Sequence, residues 1–257
     1  MNQPALSQNQ LWISCPRPVD KPRLRLICIP YAGSGPVVYH PWVALMPPDV
    51  EMWGIRLPGR EIRWREPAFT SLAPLVEALA EVLRPSLDTP FVLFGHSMGA
   101  LISYELVHYW RGQNGPQPVH LLVSGHRAPH RPALNPKVHQ ADDTTFLNRL
   151  KNLGGTPARF FEMEDLVRLT LPALRADFSV WENYQHEVRP PLEIPLTTFG
   201  GQWDSEAREE DFYAWAQHTA GRFAVHLFNG DHFYFRTDMA PLMAQVQEVL
   251  NDFPGNA

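Results

Sequence analysis

The stretch FVLFGHSMGALISYELV, Phe91 to Val107, joins an apolar β-type segment to a helical pattern through two glycines, with Ser97 at the pivot. Gly95 and Gly99, two residues either side of Ser97, lack the Cβ atoms that would collide where a strand turns abruptly into a helix. Gly95-His96-Ser97-Met98-Gly99 thus fits G-x-S-x-G. That turn presents a serine Oγ at the end of a sheet, over a helix N-terminus whose free N–H groups favour developing negative charge. The plainer alternative is a glycine-rich turn with an idle serine. The strand signal before it and the helix signal after it favour the first reading.

Similar apolar segments recur at Leu24–Ile29, Val50–Ile55, Val119–Ser124, Ile194–Phe199 and Phe223–Phe228. Most are continuous rather than alternating, as expected for strands covered on both faces of a parallel sheet. Helical patterns lie between them at Leu72–Leu83, Ala100–Trp110, Ala207–His218 and Pro241–Leu250. The alternation predicts an α/β fold, a mostly parallel central sheet flanked by helices. It lapses over residues 142–184, where helical patterns follow one another without a strand, and an insertion is the simplest account. With 257 residues and 44% hydrophobic content, one domain over residues 1–257 has material for a full core. The first ~20 residues read as a loosely held tail.

Composition narrows the function classes. No stretch approaches the ~18 apolar residues of a membrane span, and the N-terminus lacks a basic start followed by an apolar run, which predicts a soluble cytoplasmic protein. The net charge of −5, with no basic block or nucleic-acid motif, argues against a nucleic-acid partner. Cys15 and Cys28 imply no disulfide framework, and Cys28 within LRLICIP reads as a small buried hydrophobe. Arg56, Arg60, Arg63 and Arg65 fall close together and offer a local basic rim.

A serine hydroxyl is a poor nucleophile until a base takes its proton, so Ser97 requires a histidine and an acid to orient it, in the chain order Ser, Asp or Glu, His. Of eleven histidines, His218, His226 and His232 lie late. His218 falls in a helical pattern and His226 in a strand; His232 alone sits on a loop just past a strand end. For the acid, Asp204 follows the carboxyl end of the strand IPLTTFGG, the edge where α/β sheets place their sites. Asp231 adjoins His232 too closely to face it well. Asp142 and Asp143 begin the insertion, Asp165 and Asp177 lie in helical patterns within it, and Asp211 lies in the next helix. An oxyanion formed by attack needs backbone donors, and the candidates are the N–H of Met98, after the nucleophile, and of Ala32, in the loop Pro30-Tyr31-Ala32-Gly33-Ser34-Gly35. His96 reads as a support for the turn.

The stretches IPYAGSG, LPGRE, FGHSMGA, VSGHRAP, LGGTP, LPALRADF, FGGQWD and GDHFYF together resemble the stand-alone type II thioesterases that accompany polyketide and nonribosomal peptide synthetases. They span almost the whole chain in the expected order. The resemblance implies the α/β-hydrolase fold, Ser97, Asp204 and His232 as the triad, Ala32 and Met98 as the oxyanion hole, and residues 142–184 as a helical lid. It implies hydrolysis of acyl groups from the phosphopantetheine thiol of acyl or peptidyl carrier domains. No G-x-G-x-x-G, phosphate loop or cofactor-lysine context appears, so no cofactor is expected, the pantetheine arm belonging to the partner, and the protein is expected to be a monomer. Three departures touch specificity and the placing of the acid: Ser34 in place of a second glycine, Ser-Glu-Ala after Asp204, and His126 in GHRAP.

Two other readings share these features. A small-ester or acyl-coenzyme A hydrolase keeps the triad with another substrate. A non-catalytic carrier-protein binder keeps only the surface, which the complete Ser, Asp and His set argues against. His126 and His130 have the separation of a ligand pair, but Ala128-Pro129 puts them on a loop with no third ligand nearby, so no metal is expected. Leu153-Gly154-Gly155 offers either a hinge or a helix C-cap. Phe160, Phe161, Met163 and Trp181 offer either a channel lining or plain core.

Overall fold

The computed structural model, which describes residues 7–253, sets the apolar segments side by side in one seven-stranded sheet. The strands are β1 (Ile13–Ser14), β2 (Leu24–Ile29), β3 (Val50–Ile55), β4 (Phe91–His96), β5 (His120–Ser124), β6 (Leu196–Gly201) and β7 (Phe223–Phe228), in the order β1-β3-β2-β4-β5-β6-β7. Every pairing is parallel except that of β1 with β3. The helices are α1 (Gln8–Trp12), α2 (Leu72–Leu83), α3 (Met98–Gly112), α4 (Asp143–Leu153), α5 (Glu164–Glu182), α6 (Glu209–Tyr213) and α7 (Ala240–Asn251). This is the α/β-hydrolase architecture that the sequence implied.

Side chains of a strand point alternately to its two faces, so β2 feeds two cores. Ile27 and Ile29 join the apolar faces of α2 and α3 on one side. Leu24, Leu26 and Cys28 join α7 and the 3₁₀ segment Pro36–Leu45 on the other, with Tyr39 and Trp42 fully buried there. Central strands covered on both sides carry continuous apolar runs; β7, at the edge, leaves all six of its residues half-buried. Both cysteines are free thiols. The helical pattern at Ala207–His218 splits into α6 and a 3₁₀ turn, Ala214–His218, that buries Trp215.

The expected loose N-terminal tail is corrected over the described residues, residues 1–6 lying outside them. Ser7 and Gln10 form a reciprocal capping box at α1. Ile13 and Ser14 pair antiparallel with Ile55 and Gly54. Trp12 is only 7% exposed, with the Arg63 guanidinium 4.1 Å from its ring centroid. Such partners lie far away in sequence, so no local periodicity announces them. We expect Trp12→Ala to lower unfolding free energy by about 3–5 kcal/mol in chemical denaturation, the usual cost of emptying a buried aromatic site. A loss below about 1 kcal/mol, the level of an ordinary surface change, would restore the loose-tail reading.

Between β5 and β6 the insertion consists of α4, a 3₁₀ turn (Ala158–Glu162) and α5. Asp142 caps α4 by accepting the Thr145 N–H at 3.0 Å, and Gly154 ends it in the left-handed conformation, so the Leu153-Gly154-Gly155 segment serves as a C-cap. Phe146, Leu150, Leu174 and Phe178 form a small core of their own. In α5, all buried residues follow Pro172, beginning at Leu174; in the N-terminal half, Leu171 packs against the small core and Leu166, Leu169 and Thr170 line a groove.

Candidate active site

β4 ends against the carboxyl ends of β2 and β5, with Ile29 opposite Gly95 and His96 opposite Ser124. Ser97 then adopts φ 54° and ψ −121°, a conformation that costs a non-glycine residue about 1–3 kcal/mol. Its N–H donates to the Ser124 carbonyl at 2.8 Å, and its own carbonyl accepts from Ala100 at 2.9 Å, which holds the turn. A Cβ on Gly95 would lie 2.1 Å from the Gly99 carbonyl oxygen, and one on Gly99 would lie 2.2 Å from that of Ile29. Only glycine lets α3 start this close to the sheet.

The acid and the base meet at the next strand ends. Asp204 lies just after β6 and His232 just after β7; the Gln202 N–H donates to the Phe228 carbonyl at 2.9 Å and the Trp203 N–H to that of Gly230 at 3.0 Å. The His232 Nδ1 donates to the Asp204 carboxylate, 2.9 and 3.0 Å from its two oxygens, which leaves Nε2 as the acceptor nitrogen. Asp204 also accepts the Glu206 N–H at 2.8 Å. Burial opposes protonation of His232, but the Asp204 charge and hydrogen bond, with Glu206 and Asp231 nearby, outweigh it and raise the imidazole above its ordinary value. Nε2 is buried and has no hydrogen-bond partner among the described residues. It does not bond Ser97 in this structure, and such contacts commonly tighten only with substrate bound.

His96 supports the turn as expected. Its Nδ1 and the Ser124 Oγ lie 2.9 Å apart, its ring centroid is 4.9 Å from that of His232, and burial holds it neutral, well below the ordinary histidine value. Ser97 opens into a small cavity of about 20 Å³ that Ala32, His126, Leu153, Phe178 and Trp181 also line. Ala32, Leu153 and Phe178 are shared with a larger groove of about 710 Å³ between the Tyr31–Gly35 loop and the insertion. Neither the Ala32 N–H nor the Met98 N–H donates to another described residue.

The remaining candidates are placed as follows. Trp181 lines the cavity, Phe160 the groove, and Met163 is exposed. His126 binds the Arg127 carbonyl through Nδ1 at 2.6 Å, and burial pushes it down to about 3. His130 turns instead to His218, 2.8 Å away, so the two histidines do not converge. Asp211 pairs with Arg131. Three of the four clustered arginines are not a free basic rim, since Arg56, Arg60 and Arg63 pair with Glu61, Asp177 and Glu66, while Arg65 lies over the Trp64 ring. Sequence reasoning passed over Asp177, Glu206 and Arg149, although Asp177 was in view as a carboxylate of the insertion.

A family model described as a thioesterase domain matches residues 24–252. The chain belongs to the thioesterase family, hydrolases that act on thioesters. It is 40% identical over 229 residues to the gramicidin S biosynthesis protein GrsT of Aneurinibacillus migulanus, covering 89% of this chain and 90% of that one. It is 37% identical over 245 residues to a protein of Brevibacillus parabrevis named linear gramicidin dehydrogenase LgrE, covering 94% and 93%. Among solved structures, the type II thioesterase BorB from the borrelidin biosynthetic cluster superposes with a TM-score of 0.86 at 32% identity, covering 95% of this chain and 99% of that one. No helix of the described residues is long and apolar enough to cross a membrane.

Proposed function

We propose that the protein hydrolyses short acyl groups from the phosphopantetheine thiol of acyl or peptidyl carrier domains of a polyketide or nonribosomal peptide synthetase, with Ser97, His232 and Asp204 as its triad. The observation that carries this is the buried His232–Asp204 pair, which fixes the tautomer and leaves Nε2 as a proton acceptor at the sheet edge that presents Ser97. Membership in the thioesterase family and the likeness to type II thioesterases support the substrate class.

In this reading the Ser97 Oγ attacks the thioester carbonyl carbon while His232 Nε2 takes its proton, and the oxyanion turns to the N–H groups of Ala32 and Met98. The C–S bond then breaks, and the imidazolium returns the proton to the departing thiolate. A water molecule, deprotonated by the same nitrogen, attacks the acyl-serine; the ester C–O bond breaks and Ser97 regains its proton. The groove of about 710 Å³ provides a path for the pantetheine arm, with residues 142–184 as its lid. The cavity of about 20 Å³ beside Ser97 has room for about one water, which favours the smallest acyl chains.

The test is a fluorophosphonate probe mapped by mass spectrometry, paired with turnover of acetyl- and octanoyl-loaded carrier protein, acyl-coenzyme A and an aryl ester. Labelling at Ser97 with fastest turnover of the acetyl carrier is expected. Labelling elsewhere refutes the triad; turnover of coenzyme A or aryl esters in preference to carrier protein refutes the partner.

A further inference from the structure

The Asp177 carboxylate is a buried anion on α5, and its contacts run to the loop that carries Ala32. One oxygen accepts the Gly33 N–H at 2.7 Å, so the peptide immediately after Ala32 is fastened to the insertion. The Arg60 guanidinium meets both oxygens of Asp177 at 2.7 Å, the planar fork that matches a carboxylate. The same guanidinium donates to the Ser34 carbonyl at 3.1 Å and to the Pro58 carbonyl at 3.2 and 3.3 Å. The loop is therefore gripped on both sides of its turn, at Gly33 and at Ser34.

Two steric contacts reinforce the grip. Gly33 has φ +77°, and a Cβ there would lie 2.3 Å from Leu174 Cδ2, so α5 rests directly on the loop. A Cβ on Gly35 would lie 2.2 Å from a Glu61 side-chain oxygen, so the segment that carries Arg60 closes the other side. Within the loop itself, the Tyr31 carbonyl accepts both the Ser34 N–H at 3.1 Å and its hydroxyl at 2.8 Å. That turn leaves the Ala32 N–H without an acceptor among the described residues.

Resting on the proposed oxyanion role of Ala32, we infer that Asp177 and Arg60 are positioning residues, which hold the Tyr31–Gly35 loop so that the Ala32 N–H faces the oxyanion. Neither touches the reacting atoms. A peptide free to rotate by a few tens of degrees aims its N–H elsewhere, and donors of this kind act only when aligned with the charge that develops. Because Asp177 belongs to α5, a shift of that helix also moves the donor.

The test uses the full-length protein and the variants Asp177→Ala, Asp177→Asn, Arg60→Lys and the paired Arg60→Met/Asp177→Leu. Two rates are read: kcat and KM on acetyl-loaded carrier protein, per Ser97 site counted by end-point fluorophosphonate labelling, and the second-order rate of that labelling. We expect Asp177→Ala to lower kcat per site about 10- to 100-fold with KM within about threefold, because the lost contact acts in the transition state. The labelling rate, whose phosphoryl oxygen uses the same donors, falls in parallel. Asp177→Asn, which keeps an acceptor for Gly33, loses less, and Arg60→Lys, which loses the fork, falls between the two.

The paired apolar variant separates alignment from folding. Replacing both charges removes the stranded partner that destabilises a single variant, so the thermal midpoint recovers while kcat per site stays low. Recovery of kcat along with the midpoint, or both rates unchanged in Asp177→Ala, would overturn the inference. If the unaltered protein hydrolyses no thioester but is labelled at Ser97, the proposed function falls and the labelling rates still decide this point. If Ser97 is not labelled at all, both fall.

Discussion

Ser97→Ala is expected to lower kcat on an acetyl-loaded carrier protein by about 10⁶, the loss seen when a triad nucleophile is removed from a serine hydrolase. The fold should survive the change. The Ser97 hydroxyl makes no hydrogen bond with another described residue; the turn is held by backbone groups, through the Ser124 carbonyl and the Ala100 N–H, and by the glycines at 95 and 99. Alanine retains the Cβ already tolerated at φ 54°, so the unfolding midpoint should stay within a degree or two, roughly the span of a surface change of ±0.5 kcal/mol. Activity above about one per cent of the parent in a folded variant would mean that another group attacks the substrate. Retained biological function with no hydrolysis would instead point to a carrier-protein binder.

The sheet was legible because its signals are local. β2, β3 and β7 have the bounds that their apolar runs predict, whereas β4 continues past its apolar run Phe91–Phe94 through Gly95-His96, and β6 starts and ends two residues later than Ile194–Phe199, finishing at Gly200-Gly201, where hydropathy gives no cue. Those extra residues are the ones nearest the site, since strands must run on to deliver loops to the sheet edge. Asp204 could be picked out by chain order and by its place after β6, and its carboxylate does meet His232. Asp177 could not. In a helix with a polar face a carboxylate reads as solvated, and its partner Arg60 lies 117 positions away. The fold alone brings them together.

The same reasoning applies to the whole insertion. Arg60 joins the Tyr31–Gly35 loop to α5 through Asp177. Arg149, on α4, pairs with Glu206, two residues after Asp204, and Glu206 also lines the cavity beside Ser97. Arg236, four residues after His232, donates to the carbonyls of Gly154 and Gly155 at 3.1 and 2.7 Å, just past the end of α4. The loops of Ala32, Asp204 and His232 are thus each tied by one arginine to residues 142–184. On the proposed reading, a movement that admits a pantetheine arm must keep or exchange these ties, which would link opening of the groove to alignment of the site.

Asp204→Asn should be the second most damaging single change, lowering kcat/KM by about 10⁴, because an amide in place of the carboxylate can hold the imidazole in the wrong tautomer and cannot stabilise the imidazolium. Its pH profile distinguishes this from simple loss of packing. In the unaltered protein the Asp204 charge raises His232 against the opposing effect of burial. The base acts only when neutral, so the acidic limb of kcat/KM should have its midpoint above the ordinary histidine value of about 6.5. Without that charge, burial prevails and His232 titrates lower. The acidic limb of Asp204→Asn should therefore move to lower pH even as the plateau collapses. A limb that stays in place, with the plateau reduced, would show that the titrating base is not His232 or that Asp204 does not govern it.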